Sequence, residues 1–332
     1  MRVSTKNTGK AVKTLFGLLI LAALIYVVDV QSLWEALKEL TWQSVAVLML
    51  LSIPLILVSA LKWRCFIESF GVKVRFVRLF NLYVVGYFVN IFVPSYVGGD
   101  FVRSWYVGKR IGQHEAFAST ILERYTGLVA MLLLAFCFMW FVEGVGLLMQ
   151  LAVLALCAGL AVITVIALSP AILQKVERFK ALAKVIPHLR KVQTGLRLAH
   201  GNKPLLAKAL FLSLCFHTLT VVNTMVAGIA VGWVDPPFWG LFVVLPFVLL
   251  IGALPVAPSG LGIQEGAFFV FLTALGATPA EALGVGIVLR AKSYVLALIG
   301  GLVWLYEKRV AALEAAPSSS GNHSGPAIGL RS

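Results

Sequence analysis

Charged residues are scarce in this chain of 332 residues, since only 13% are Asp, Glu, Lys or Arg, whereas a soluble domain carries about 25%. Hydrophobic residues make up 60% and the mean hydropathy is +0.94. The remaining residues are too few for a separate soluble domain of about 100 residues, which excludes an extramembrane enzyme module. We therefore expect an all-α, polytopic membrane protein, because hydrocarbon leaves an open backbone without hydrogen-bond partners.

Several chemical signatures are also missing. The four cysteines and five histidines show no metal-ligand spacing, so neither a metal nor another bound cofactor is expected. The nucleotide-binding sequence G-x-x-x-x-G-K-[ST] is absent, which means that any driving force must come from an ion gradient, a partner ATPase or the lipid gradient. The 28 Lys and Arg exceed the 14 Asp and Glu by a net +14, which we interpret as loop charge that orients the chain rather than as nucleic-acid binding.

The long apolar runs predict the membrane helices. They occupy residues 12–30, 43–61, 79–97, 116–141, 144–169, 205–232, 238–256, 261–276 and 281–305. Most cations lie in five segments, at 1–13, 62–78, 98–115, 171–208 and 307–332. The connections 29–42, 142–146, 233–237 and 277–281 are acidic and are expected to be external. The positive-inside tendency therefore predicts a multi-pass protein of the cytoplasmic (inner) membrane with both termini in the cytoplasm.

The run at 79–97 is predicted not to span. If it crossed, the cationic segment 171–208 would lie outside, against the positive-inside tendency. A re-entrant hairpin over 79–112, broken at Pro94, Gly98 and Gly99, places every basic segment inside; a plain span is the alternative. The second interrupted region, 238–276, is compatible with either two crossings or a hairpin entered from outside.

An internal repeat is indicated by self-alignment at an offset of 164 to 166. PSYVGGD (94–100) pairs with PSGLGIQE (258–265), and the following helices superpose Glu115 on Glu281 and Arg124 on Arg290. We expect two repeats of opposite topology, at about 12–141 and 144–305, each with a broken hairpin. This architecture is that of many secondary transporters, in which the broken segments meet near mid-membrane.

Three cations lie within apolar helices, namely Arg124, Arg290 and Lys292. Because an arginine near the membrane centre costs about 2.5–3.5 kcal/mol on insertion scales, it usually faces a cavity or a partner. One hypothesis is that these residues bind an anionic head group; the alternative is an ion pair that only locks the helices together. The other charged candidates for substrate binding are Asp100, Arg103, Glu123 and Glu265. The remaining candidates are Gly98, Gly99, Gly260 and Gly262, because these glycines permit close backbone approach and precede helix N-termini with free N–H groups.

These segments carry a family resemblance. VPSYVGGDFVRSW, ILERYTGL, LPVAPSGLGIQEGAFFVFL and LRAKSYVL resemble the lysylphosphatidylglycerol synthase transmembrane region, also called the flippase-like domain. The likeness covers about residues 12–305. Its motif positions in this chain are Pro94, Gly98, Gly99, Asp100, Arg103, Glu123, Arg124, Pro258, Gly260, Gly262, Glu265 and Gly266.

The resemblance implies a lipid translocase for an anionic, aminoacylated or polyprenyl-linked lipid, with membrane lipids as partners and no catalytic activity. The chain ends at Ser332 without the aminoacyl-transfer domain of the fused family members, so lysyl transfer is not expected. Two other classes stay open: an integral-membrane enzyme acting on a lipid head group, and a structural partner of a lipid-modifying or glycosyl-transfer enzyme.

Two flanking segments complete the predicted organisation. Residues 172–200 combine an apolar face with many cations, which is typical of a helix lying in the membrane surface. Residues 1–308 are expected to form the transmembrane domain, and the Ser-, Gly- and Pro-rich residues 309–332 a disordered cytoplasmic tail.

Overall fold

The computed structural model describes residues 5–93, 97–142, 146–169 and 202–315, together with Gln193. In these residues the regular structure is helical, which confirms the predicted all-α class. The helices are α1 (Thr5–Val28), α2 (Val30–Lys38), α3 (Trp42–Glu68), α4 (Phe76–Phe92), α5 (Val97–Ile111), α6 (Gln113–Phe138), α7 (Leu147–Leu168), α8 (Lys203–Ala230), α9 (Phe238–Gly252), α10 (Ile263–Thr273) and α11 (Pro279–Ala315).

Among the described residues, five helices are long and apolar enough to cross a membrane, namely α3, α6, α7, α8 and α11, and α1 together with α2 forms a bent sixth candidate. Four others are short: α4 has 17 residues, α5 and α9 have 15 each, and α10 has 11. At about 1.5 Å per residue, none of the four reaches across a hydrocarbon core of about 30 Å. This result favours hairpins at both interrupted regions over a plain span at 79–97 and two crossings at 238–276.

The short helices are arranged as two hairpins, because α4 packs against α5 and α9 packs against α10. Each hairpin also contacts the long helix that follows it, α6 in the first case and α11 in the second. Both halves therefore have the order of short helix, short helix and long helix that the predicted repeat requires, and the repeat itself stays a prediction.

Packing between the two halves follows a similar pattern. Helix α4 packs on α11, and the corresponding contact in the other half is α9 on α6. Likewise, the contact of α6 with α7 corresponds to that of α11 with α1. Helix α3 packs on its own counterpart, α8. These pairs are preserved when residues 12–141 are exchanged with 144–305. Other contacts depart from the pattern, since α6 packs on α8 more extensively than α11 packs on α3. Opposite orientation of the halves in the bilayer stays a prediction.

Helix α2 is an element that sequence analysis missed, because residues 29–42 were expected to be a connection. Asp29 caps this helix through its side chain, which accepts a hydrogen bond from the Ser32 N–H at 3.2 Å. Its apolar face buries Leu33 beside α1 and α11, and the chain turns by 88° between α1 and α2. The short amphipathic helix therefore lies across the end of α1 rather than extending it.

Three of the acidic connections meet at one end of the molecule. Glu35, Glu39, Asp235 and Glu281 line a single cleft of about 860 Å³, together with apolar residues of α8. Their clustering agrees with the prediction that 29–42, 233–237 and 277–281 share one side of the membrane. Apart from Gln193, the predicted surface helix at 172–200 lies outside the described residues. Of the predicted tail at 309–332, residues 309–315 continue helix α11 and the rest lies outside the described residues.

Candidate functional site

An arginine–carboxylate pair joins the first hairpin to the helix that follows it. Arg124 is the twelfth residue of α6, so at about 1.5 Å per residue it lies about 17 Å from the start of this helix. Its Nε is 2.7 Å from Asp100 Oδ2, and its Nη2 is 2.8 Å from Asp100 Oδ1. This two-pronged geometry is the strong form of an ion pair. The Arg124 side chain nevertheless remains 59% exposed, whereas Asp100 is 15% exposed.

Arg103 lies behind this pair and is fully enclosed. Its Nη2 is 3.0 Å from Asp100 Oδ1 and 2.6 Å from Glu123 Oε2, and its side chain is 2% exposed. The guanidinium lies over the rings of Trp63 and Tyr83, at 4.5 and 4.4 Å from their centroids, which is within the range of cation–π attraction. Arg103 therefore orients the two carboxylates from the protein side, where a substrate has no access to it.

Glu123 connects the buried part of the network to α3 and α4. The Tyr83 hydroxyl donates to Glu123 Oε1 at 2.5 Å and accepts from Arg103 Nη1 at 2.7 Å. Lys62 of α3 lies 3.9 Å from Glu123 Oε1 and is itself 4% exposed. We refer to Lys62, Asp100, Arg103, Glu123 and Arg124 as the first ion network. Its three cations and two carboxylates leave one positive charge in excess when all five are ionised.

Lys62 was missed as a site residue because sequence analysis counted it among the loop cations at 62–78. Helix α3 instead continues to Glu68, which places Lys62 inside the protein. The apolar residues Trp63, Phe66 and Ile67 follow it, and all three are fully buried. Helical continuation of the apolar run through these residues was the signal that would have found it.

A second arginine–carboxylate pair joins α10 to α11. Arg290 Nε and Nη2 both contact the Glu265 carboxylate, the latter at 3.0 Å. Nη1 donates to the Ser259 carbonyl at 2.7 Å and Nη2 to the Gly260 carbonyl at 3.1 Å. Here both side chains are enclosed, since Arg290 is 9% exposed and Glu265 is 2% exposed. The sequence-predicted residues thus come together in two separate groups.

The two pairs share their place in the fold but differ in exposure. In each, a carboxylate from the second helix of a hairpin meets an arginine from the middle of the following long helix, 24 residues later in the first pair and 25 in the second. Arg124 is open to its surroundings, whereas Arg290 is covered by protein. Sequence patterns alone assign both arginines the same role, and the packing separates them.

Lys292 belongs to neither pair. It donates to the Asn223 side-chain oxygen of α8. Because residues two apart on a helix face different directions, Lys292 lies on another side of α11 from Arg290. The predicted grouping of Lys292 with the two arginines is therefore not what the contacts show.

The glycines of the first motif pack against the protein itself. A Cβ at Gly99 would lie 2.7 Å from the Gly86 carbonyl oxygen, and one at Gly98 would lie 2.6 Å from Val93 Cβ. The Gly99 N–H donates to the Asn90 side-chain oxygen at 2.7 Å. The Gly99 N–H is therefore not free for a ligand, because Asn90 of α4 supplies the acceptor; the role of the other N–H groups at the two helix starts stays a prediction. Pro94 lies outside the described residues.

The glycines of the second motif serve a tight turn. Gly260 and Gly262 have positive φ angles of 66° and 77°, which glycine adopts without steric cost. A Cβ at Gly260 would lie 2.7 Å from the Gly252 carbonyl oxygen, and one at Gly262 would collide with the Gly17 carbonyl of α1. Glycine is therefore required at both positions for the tight turn and for the close packing of the helices.

The two interrupted regions meet. The Ser259 N–H of the second motif lies 3.5 Å from the carbonyl oxygen of Val93, which immediately precedes the first motif. This contact brings the ends of the two interrupted regions together, and their predicted depth near mid-membrane stays a prediction. Within the described residues, no group of three or more His, Cys, Asp or Glu side chains is placed to hold a metal ion.

Fold and site together define an α-helical, multi-pass membrane protein with two helical hairpins and arginine–carboxylate pairs between its helices. The chain belongs to the family described as the lysylphosphatidylglycerol synthase TM region, whose model matches residues 12–301. This match confirms the resemblance seen in the sequence motifs.

The chain is similar to archaeal proteins described as UPF0104 membrane proteins. One from Methanothermobacter thermautotrophicus is 25% identical over 316 residues, covering 87% of this chain and 92% of the relative. One from Methanocaldococcus jannaschii is 21% identical over 318 residues, covering 90% and 94%. No solved structure matches the chain significantly.

Proposed function

We propose that this protein moves lipids with anionic head groups between the leaflets of the cytoplasmic membrane. The observation that carries the proposal is the Arg124 side chain, which is 59% exposed in the middle of a helix long and apolar enough to span the membrane. An arginine at such a depth costs about 2.5–3.5 kcal/mol or more, so the exposed part of this side chain favours a polar or anionic partner in addition to Asp100.

The charge balance of the first ion network favours an anion. Asp100 pairs with Arg124, and Glu123 pairs with Arg103 and lies 3.9 Å from Lys62, so the network as a whole keeps one positive charge in excess when all five groups are ionised. A phosphate group has two oxygens at the spacing that a guanidinium contacts bidentately. A head group at Arg124 therefore either shares the guanidinium with Asp100 or replaces one of its oxygens, while the lipid tails remain in the hydrocarbon.

The family description supports a lipid as the source of this anion, since the matching model is named for the membrane region of a phospholipid-modifying protein. In the proposed cycle the lipid is transported without a change in its covalent structure, and the protein uses no bound cofactor. Both termini are cytoplasmic. The described residues offer Arg124 and Asp100 to the head group, whereas Arg103 and Glu123 hold Asp100 in place.

The test uses the full chain in phosphatidylcholine vesicles that contain a tail-labelled fluorescent phosphatidylglycerol. We expect Arg124→Gln to lower the rate of lipid transfer by about tenfold or more, because bonds between charged partners are lost. Arg64→Gln is the matched control, since Arg64 forms an exposed pair with Glu68 one turn away on α3 and is expected to leave the rate unchanged.

Two outcomes contradict the proposal. The first is native transfer by a folded Arg124→Gln protein. The second is a chemically altered head group among the recovered lipids, measured by mass spectrometry, which would favour the enzyme alternative instead.

A further inference from the structure

Arg290 is enclosed by protein groups that already use each of its guanidinium nitrogens. Nε contacts Glu265, Nη1 contacts the Ser259 carbonyl, and Nη2 contacts both Glu265 and the Gly260 carbonyl. With 9% of its side chain exposed, this residue presents little surface to a lipid head group. Its hydrogen bonds go to the turn of the second hairpin.

That turn has an unusual backbone. Ser259 and Gly260 have φ angles of 51° and 66°, in the left-handed region that a serine rarely adopts. Arg290 donates hydrogen bonds to the carbonyl oxygens of these same two residues. The arginine therefore stabilises the conformation that directs the Ser259 N–H toward the first hairpin.

The Ser259 N–H meets the Val93 carbonyl at the end of α4. From there the path to the exposed site is short, because Asn90 of α4 caps Gly99 at the start of α5 and Asp100 is the next residue. A continuous series of contacts thus runs from Arg290 through the two hairpin ends to the carboxylate that Arg124 binds.

We infer that Arg290 is a positioning residue that holds the end of the second hairpin against the first, and that Arg124 alone of the two arginines binds the anionic head group. This inference rests on the proposed function for the role of Arg124. It assigns different tasks to two residues that occupy equivalent places in the predicted repeats. The joined hairpin ends then move as one unit during transfer.

A cross-link between the hairpin ends measures the positioning role directly. In the full chain with its four cysteines replaced by alanine, Val93→Cys and Ser259→Cys are oxidised in phosphatidylcholine vesicles, and the cross-linked fraction is measured. Arg290→Lys keeps the charge beside Glu265, but a single ammonium cannot reproduce the planar fork that reaches two carbonyls as well. We expect it to lower the cross-linking rate by about tenfold, the effect of losing one charged hydrogen bond.

Arg124→Lys is the matched variant, and it is expected to leave cross-linking unchanged. The same proteins without the added cysteines are assayed with tail-labelled phosphatidylglycerol. Arg290→Lys should lower the maximal transfer rate and leave the lipid concentration at half-maximal rate unaltered. Arg124→Lys should raise that concentration. If Arg290→Lys does not fold, Glu265→Gln/Arg290→Gln replaces it, because this double variant leaves no buried charge unpaired.

Native cross-linking in a folded Arg290 variant overturns the inference, and so does a rise in half-saturating lipid equal to that of Arg124→Lys. If Arg124→Lys changes neither lipid parameter, the proposed function fails. The cross-linking result still decides whether Arg290 positions the hairpins.

Discussion

Arg103 shows how a buried charge acts through its neighbours. It contacts Asp100 and Glu123 and lies between two aromatic rings, so it is the centre of the first ion network. Removing one partner of a buried ion pair leaves the other charge without compensation, which is more harmful than removing both. The residue therefore contributes to the site by fixing the carboxylate that faces Arg124.

Arg103→Met is expected to lower the free energy of unfolding by about 3–5 kcal/mol. Arg110→Met is the control, because Arg110 lies on the same helix and is exposed; it should change stability by no more than about 0.5 kcal/mol. Denaturant unfolding in detergent, followed by tryptophan fluorescence, measures both. Equal free energies of unfolding for the two variants would contradict the burial and ion pairing of Arg103.

Sequence analysis identifies the members of the arginine–carboxylate pairs but not their exposure. Arg124 and Arg290 follow the same motif in helices of similar composition. The free-energy cost of placing an arginine in the membrane is therefore expected to be the same for both. Their difference arises from long-range packing, since Arg290 meets the carbonyls of a turn some 30 residues earlier. Lys62 was concealed for a related reason, because α3 extends beyond its most apolar stretch.

At the scale of elements, the hairpins depend on how closely two helix backbones approach. Gly86 of α4 and Gly99 of α5 are in direct backbone contact, as small residues allow in membrane helix pairs. Hydropathy predicted where most helices lie, because each needs an apolar run. It did not predict α2, whose burial of Leu33 depends on contacts with α1 and α11.

Gly99→Ala is expected to destabilise the protein by about 1–3 kcal/mol, since the added methyl group collides with the backbone of Gly86. Gly159→Ala in α7 is the matched control, because a Cβ at Gly159 meets nothing within 4 Å. It should leave stability unchanged or raise it by up to about 1 kcal/mol, as expected for alanine in a helix. Thermal unfolding in detergent compares them. A fully tolerated Gly99→Ala would contradict the close contact of α4 and α5.

At the scale of the whole molecule, the described contacts agree with the orientation that the charges predict. Three of the four acidic connections, 29–42, 233–237 and 277–281, line one cleft. Trp304 of α11 donates to the Tyr106 hydroxyl of the basic helix α5 at 3.2 Å. If the six candidate spans of the described residues cross and the two hairpins do not, both termini lie on one side of the membrane. Because basic residues collect near the termini, the positive-inside tendency predicts that this side is the cytoplasm.

Single cysteines test this orientation in the cysteine-free chain. With a membrane-impermeant maleimide added to intact cells, we expect Glu35→Cys and Asp235→Cys to react, because both positions line the cleft on the predicted outer side. Lys308→Cys, near the end of α11, should react only after the membrane is permeabilised. Labelling of Lys308→Cys in intact cells would place that end of α11 outside. Labelling of only one of the two cleft positions would place Glu35 and Asp235 on opposite sides of the membrane. The number of crossings between α2 and α9 would then be odd, which contradicts the hairpin arrangement, because that arrangement requires an even number.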